Sequence, residues 1–411
     1  MSNPAASVTF ELRMTPAERR ATASLASIYG LRLLGMFIIL PVFALYAETL
    51  PGGASHTLIG IALGAYGLTQ AVLSIPFGWA SDRWGRKPVI YMGLVVFAAG
   101  SFIAAWATGI GWVIVGRGLQ GAGAISAAVV ALTADLTRDI VRTRAMAVIG
   151  ITIAATFAAS LIAGPVLTAW MGVPGIFALT GALALAAMAI VRFAVPDPDH
   201  RSVDRDVAPG QLARVLTDPQ LLRLNYGTFA LHAVLMALFT QIPFAFRDIG
   251  LPVERHWVVY LPVLVVSILL MLPFLRQVDR PNRGKPLING AVILLLSTQV
   301  ALALSLHSLP AMCIAMTLFF AALNLLEAML PSLVSKCAPP DARGAAIGVN
   351  SSAQFLGAFA GAAAGGWLAQ HVGDASVFVL GVALTTVWLA ATATMVAPPT
   401  RYGTKLSMGE T

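Results

Sequence analysis

The sequence predicts an all-α polytopic membrane protein: 12 transmembrane helices in two pseudo-symmetric six-helix bundles. Three observations lead there. First, 58% of the 411 residues are hydrophobic and only 11% are charged, with a mean hydropathy of +0.82, whereas soluble chains carry about 25% charged residues. Second, twelve stretches are apolar over the roughly 20 residues that a helix needs to cross a bilayer. Third, the basic residues fall almost entirely into alternate connecting segments.

The elements follow in order. Residues 1–20 are polar, and the first apolar stretch is too long for the core of a cleavable signal. Thr15-Pro16-Ala17-Glu18 reads as a capping box with Pro at the first helical position. A short amphipathic helix at 15–20 therefore runs into the first span. The spans are 21–45, 57–80, 88–107, 111–134, 145–169 and 174–195, then 223–246, 257–275, 286–306, 310–333, 345–369 and 375–397. The longest polar gap, 196–222, separates a first bundle at 21–195 from a second at 223–397, and a polar tail covers 398–411.

Charge sets the orientation. Of the 26 Lys and Arg, 22 lie before span 1, in the even-to-odd loops or in the tail. Arg32 and Arg117 lie inside spans, and only Arg247 and Arg255 remain on the other face. Basic residues mark the cytoplasmic side, so both termini are expected there, in the inner (cytoplasmic) membrane of a cell. The net charge of +8 is thereby explained without nucleic acid, since no basic run has interleaved aromatics. Cys313 and Cys337 form neither a metal motif nor a disulfide framework.

The two bundles echo each other. Span 2 ends at Ala80-Ser81-Asp82-Arg83 and span 8 at Gln277-Val278-Asp279-Arg280. Arg144-Ala145-Met146-Ala147 opens span 5, and Arg343-Gly344-Ala345-Ala346 opens span 11. Parallel duplication of this kind is a recurrent plan of secondary transporters, with a binding site at mid-membrane between the repeats.

A charge inside a span is expensive, by about 2.5–3.5 kcal/mol on insertion scales. Arg32, Arg117 and Glu327 are such charges. Glu327 is the only carboxylate within a span interior and shares a helix face with Asn324 at i−3. Burial favours the protonated carboxyl, so Glu327 is a candidate proton carrier or a binder of a substrate cation, with a static salt bridge to an arginine as the alternative. His232 in span 7 is the second titratable candidate, with a satisfied core histidine as the bland reading. Arg32 is either functional or a hub for hydrogen bonds. Tyr66, Gln70, Gln120, Phe239, Asn324, Asn350 and Gln354 are mid-span polar or aromatic residues that could face a substrate, with Met36, Met236, Met316 and Phe320 as a soft apolar lining. The small-residue stripes Gly60-x-x-x-Gly64 and Gly357-x-x-x-Gly361-x-x-x-Gly365 allow close helix approach.

Gly78-x-x-x-Asp82-Arg83-x-Gly85-Arg86-Lys87 resembles the loop 2–3 signature of the major facilitator superfamily. Arg117-x-x-Gln120-Gly121-x-Gly123-Ala124 resembles the span 4 signature of its drug:proton antiporter family, and Gly164-Pro165 resembles the core of the span 5 signature. Where that last pattern has further glycines, this chain carries Ile151 and Ser160. The resemblance implies the major facilitator fold, contact between spans 2 and 11, a proton-coupling role for Arg117, and a link from Arg86 to Asp135. The alternative for Arg117 is a brace between helices. Asp82 would sit at the positive N-terminal end of span 11, near Arg343–Ala345, only while the cytoplasmic side is closed. Gly78, Asp82, Arg83, Gly85, Arg86, Lys87 and Asp135 thus form a candidate cytoplasmic gate, with Asp279 and Arg280 its weaker counterpart in the second half. Many related antiporters place an acid inside span 1, and this chain has none there.

No nucleotide-binding glycine loop, His/Cys metal cluster or Ser-His-Asp pattern appears, so neither an enzyme nor a cofactor is expected and the energy source is a proton gradient. The expected partners are lipid, protons and a small-molecule substrate, and the protein is expected to be a monomer. The reading is a proton-coupled efflux carrier for small amphipathic or hydrophobic compounds. The alternatives are a symporter or facilitator for a sugar or small organic acid, and a non-transporting receptor-like or lipid-handling protein.

Overall fold

The computed structural model describes residues 14–197, 209–278, 280, 283–339 and 342–395. These fold into helices α1 (Pro16–Phe37), α2 (Leu40–Glu48), α3 (His56–Trp84), α4 (Arg86–Ala105), α5 (Ile110–Ala122), α6 (Ser126–Asp135) and α7 (Asp139–Phe193). After a short linker helix α8 (Pro209–Thr217) come α9 (Pro219–Asp248), α10 (Trp257–Leu275), α11 (Gly284–Ser305), α12 (Leu309–Cys337), α13 (Arg343–His371) and α14 (Ser376–Ala393). Ten segments of the described residues are long and apolar enough to cross a membrane. One of them is α7, which folds back at Gly172 (φ 66°) into the two spans expected there. The twelfth crossing is α13, a 29-residue helix diluted by Asn350, Gln354 and glycines.

Local chemistry explains the ends and breaks. Thr15 caps α1, with Glu18 returning the bond to the Thr15 amide, but the helix then continues to Phe37 without a separate amphipathic unit. Glu18 also receives Arg138 Nε at 2.8 Å, which staples the start of α1 to the start of α7. Span 1 breaks at Ile38–Ile39, ahead of Pro41. A Cβ on Gly164 would lie 2.3 Å from the Ile38 carbonyl oxygen, so Gly164-Pro165 is the surface on which that break rests. Gly85, at φ 101°, turns the chain between α3 and α4. The repeat is visible in one detail: Lys87 Nζ donates to the Val195 carbonyl at 2.7 Å and Lys285 Nζ to the Ala393 carbonyl at 2.9 Å. Both bonds span 108 residues and cap the last helix of each half with a cation.

Glycines set the helix spacing, with one correction to the sequence reading. Helices α3 and α13 do meet, through Gly60 against the Ala362 carbonyl (2.2 Å from a built Cβ) and Gly64 and Gly67 against Phe359 and Phe355. The stripe Gly357, Gly361 and Gly365, however, faces α9, at the backbones of Phe229, Ala233 and Ala237. Residues two apart on a helix point about 200° away from each other, so 355/359 and 357/361 lie on opposite faces of α13. The stripe packs the helix within its own half and does not form the surface between halves. Gly361→Ala places Cβ 2.0 Å from the Ala233 carbonyl oxygen and is expected to destabilise the protein by about 1–3 kcal/mol. Gly150→Ala, with open space around the added carbon, leaves the unfolding midpoint unchanged or higher; thermal unfolding in detergent compares the two.

Candidate translocation site

In the first six spans, three large side chains converge. A Cβ on Gly121 would lie 2.1 Å from the Tyr66 carbonyl oxygen, so α5 lies directly against α3. One turn earlier on α5, the Arg117 guanidinium therefore sits 5.1 Å from the Tyr66 ring centroid. Arg32 from α1 sits 5.7 Å from the same centroid. Arg117 donates to Gln120 Oε1 at 2.8 Å and to the Leu63 carbonyl at 3.4 Å, and the Gln120 amide donates to Ser101 Oγ at 2.8 Å. Arg32 donates to Ser126 Oγ at 2.8 Å and to Gln70 Oε1. Arg32, Tyr66 and Arg117 are each 2% exposed or less. The two guanidiniums thus rest on amides, hydroxyls, a carbonyl and a ring, with no carboxylate in ion-pair contact among the described residues.

In the last six spans, Glu327 on α12 lies 3.4 Å from His232 Nε2 on α9. His232 Nδ1 is 3.0 Å from the Thr228 carbonyl, and its Nε2 is 2.8 Å from the Gln354 amide nitrogen on α13. The carbonyl only accepts, so Nδ1 carries hydrogen. A neutral imidazole must then accept from Gln354 at Nε2, whereas an imidazolium donates from Nε2 to Glu327. The two clusters approach each other through Tyr66 and Phe355, whose ring centroids are 6.3 Å apart.

Other sequence candidates have packing partners. Asn350 is buried and donates to Asn225 Oδ1 at 3.1 Å and Thr228 Oγ1 at 2.8 Å, tying α13 to α9. Phe239 is fully buried, 6.3 Å from Tyr260 between ring centroids. Asn324 is half-buried and donates to Ser267 Oγ at 3.3 Å.

The two halves touch at the end away from the 78–87 loop. There Glu48 pairs with Arg247, and Gln370 Oε1 accepts from Ser55 Oγ (2.8 Å), the Thr57 amide (3.0 Å) and Thr57 Oγ1 (2.7 Å). The His56 and Phe244 rings stack at 4.8 Å, and Phe157 meets Phe320 at 6.3 Å. At the 78–87 end the contacts stay within the first half. Arg86 bonds Asp82, Ser81 Oγ at 2.8 Å and Asp135 Oδ2 at 3.2 Å. Lys87 also pairs with Asp197 at 2.8 Å, and Arg83 lies 5.4 Å from the Trp79 ring centroid. Asp82, expected at the start of α13 only when this end is closed, is held here by Arg86, with its side chain 46% exposed. A Cβ on Gly78 would meet only Ala127 at 3.7 Å, and Gly344 and Gly348 have open space. The wedge between the halves is therefore open at this end, which separates Asp82 from α13. Arg280 is exposed, and Asp279 lies outside the described residues.

Sequence reasoning missed Ser126, Ser101, Glu18–Arg138 and Glu48–Arg247. The capping box pointed to Glu18 but not to its partner, and the pairing of Glu48 with Arg247 spans 199 residues.

Comparison with known proteins places this geometry. The Escherichia coli (strain K12) "Inner membrane transport protein YajR" is 43% identical over 391 residues, covering 95% of this chain and 86% of that one. The "Multidrug resistance protein MdtH" of Aeromonas hydrophila is 26% identical, covering 82% and 85%. A crystal structure of a bacterial homolog of the human lysosomal transporter Spinster superposes with a TM-score of 0.77 at 14% identity, covering 93% and 97%. The family's sequence pattern matches over residues 25–298 and 252–410. This chain is a membrane transport protein that belongs to the Major Facilitator Superfamily.

Proposed function

We propose that this protein is a proton-coupled exporter of small amphipathic or hydrophobic compounds, working by alternating access in the inner membrane with both termini in the cytoplasm. The observation that carries this reading is the placement of His232 Nε2, 2.8 Å from the Gln354 amide nitrogen and 3.4 Å from the Glu327 carboxylate, where a neutral ring accepts from Gln354 and a protonated ring donates to Glu327. This cluster joins three helices, one of which, α13, also forms the contact with α3. Proton binding thereby changes the bonding of the helix on which the two halves meet. A compound enters the wedge open at the basic end, the halves rock, and a proton from the outer side resets the carrier. The 22 basic residues on one side support a cytoplasmic placement of that end. The name of the multidrug resistance relative supports export.

Acid-loaded liposomes containing the purified protein test the reading. Addition of a transported compound is expected to alkalinise the lumen as the compound enters. Acidification would mean symport, and no proton movement across a broad panel of amphipaths would overturn the proposal.

A further inference from the structure

We propose that the Arg32–Tyr66–Arg117 cluster receives a single anionic head group, so that the compound carried is an amphipathic organic anion. This rests on the transport reading above for its purpose, but its test is a binding measurement that does not.

Two guanidiniums are buried beside one phenol ring. Their partners among the described residues are neutral. Four acids of the first half are engaged elsewhere: Glu18 with Arg138, Glu48 with Arg247, and Asp82 and Asp135 with Arg86. Three polar groups in the cluster are buried without any partner: Arg32 Nε, Arg117 Nε and the Tyr66 hydroxyl. Buried donors in folded proteins are normally satisfied, and buried charges are normally paired. A cluster with two uncompensated positive charges and three open donor sites is complementary to one carboxylate, which accepts several hydrogen bonds and can take a guanidinium in a bidentate fork. A cationic compound would add a third positive charge to the same low-dielectric region, and a neutral one would leave both charges uncompensated.

The surroundings fit the rest of such a molecule. Ser74 and Ser126 are half-buried beside the cluster. Ser126 holds Arg32, and Ser74 holds Gln70 at 3.2 Å, so two small hydroxyls and one amide are what an incoming oxygen displaces. Along α1 from Arg32 lie Met36 and Phe37; Phe37 contacts Phe157 at 5.1 Å between ring centroids, and Phe157 contacts Phe320. Met36, one turn on from Arg32, shares its face of α1, and the Phe37, Phe157 and Phe320 rings continue an apolar lining into the second half. An interior-negative membrane potential also favours outward passage of an anion.

The probes are 2-naphthoate, 2-naphthamide and 2-naphthylmethylammonium, titrated calorimetrically into the full chain in phosphatidylcholine nanodiscs at one pH. The carboxylate is expected to bind at least about tenfold more tightly than the amide, as for a charge-assisted bond, and the ammonium more weakly still. Arg32→Gln and Arg117→Gln are expected to remove the preference while the amide binds as before. Tyr66→Phe, which keeps the ring and removes only the hydroxyl, lowers carboxylate affinity several-fold and leaves the amide unchanged; it tests the site even if an arginine variant fails to fold. Equal affinity for carboxylate and amide, whether both bind or neither does, overturns the proposal. That outcome leaves the proton-flux result untouched, and absence of proton flux leaves the binding preference standing.

Discussion

Replacing Glu327 by Gln is expected to reduce gradient-driven accumulation in liposomes to the level of protein-free vesicles, while compound binding remains measurable. The amide has the shape of the carboxyl and can still accept from a protonated His232 across the 3.4 Å gap. It cannot take or release a proton, and it presents no charge to stabilise the imidazolium. In the neutral state His232 already has a partner in Gln354 at 2.8 Å, so loss of the carboxylate charge biases the variant toward the arrangement that ties α9 to α13. Downhill exchange of compound, which needs no proton step, is expected to persist. The side chain is 43% exposed, so removing its charge leaves no buried partner stranded and the fold is expected to survive. Accumulation at the wild-type level would eliminate Glu327 as the coupling group and return it to the role of an ion-pair partner.

Asp82→Asn is expected to slow transport by roughly two- to fivefold, the value of one carboxylate at a helix N-terminus, without removing the protein from the membrane. With the wedge open, Asp82 is bonded to Arg86 on its own side, and the ends of α3 and α13 that carry Gly78 and Gly344 have space between them. If closure brings α13 to this loop, Asp82 meets the α13 N-terminus, whose Ala342 cap contributes no side-chain bond. The loss then falls on the closed state alone. Distance measurements between spin labels at the basic end should show the variant shifted further toward the open wedge. An unchanged distribution together with full transport would reduce the 78–87 stretch to a loop that obeys the charge rules of topology.

Much of the fold is legible in the residues because its causes are local. Apolar length places the spans, the Thr15–Glu18 box starts α1, and the break expected between 169 and 174 occurs at Gly172. The span 4 signature is also local in part: Gly121 admits the α3 backbone, which brings Arg117 to Tyr66. Sequence patterning failed where the rotation of a helix about its axis matters. Both faces of α13 carry small residues, so composition could not say that Gly357 and Gly361 look toward α9 rather than α3. Asn350 and Phe239 were equally suited to a cavity wall and to packing, and only their neighbours place them in packing.

What the sequence determined by itself is the number of crossings, the duplicated plan, the charge asymmetry and the short roll of ionisable groups that lipid would not tolerate without a reason. Each follows from free energies of transfer and capping that depend on a residue and its near neighbours. The tertiary structure decided the partners: Arg32 and Arg117 around Tyr66, Glu327 with His232, Glu48 with Arg247. It also decided that Asp82 turns to Arg86 while the wedge stands open. Apart from the i,i+4 pair Asp82–Arg86, those pairings join residues from 34 to 199 positions apart only because helices rotate and approach until buried polar groups find one another. No local pattern records which will meet.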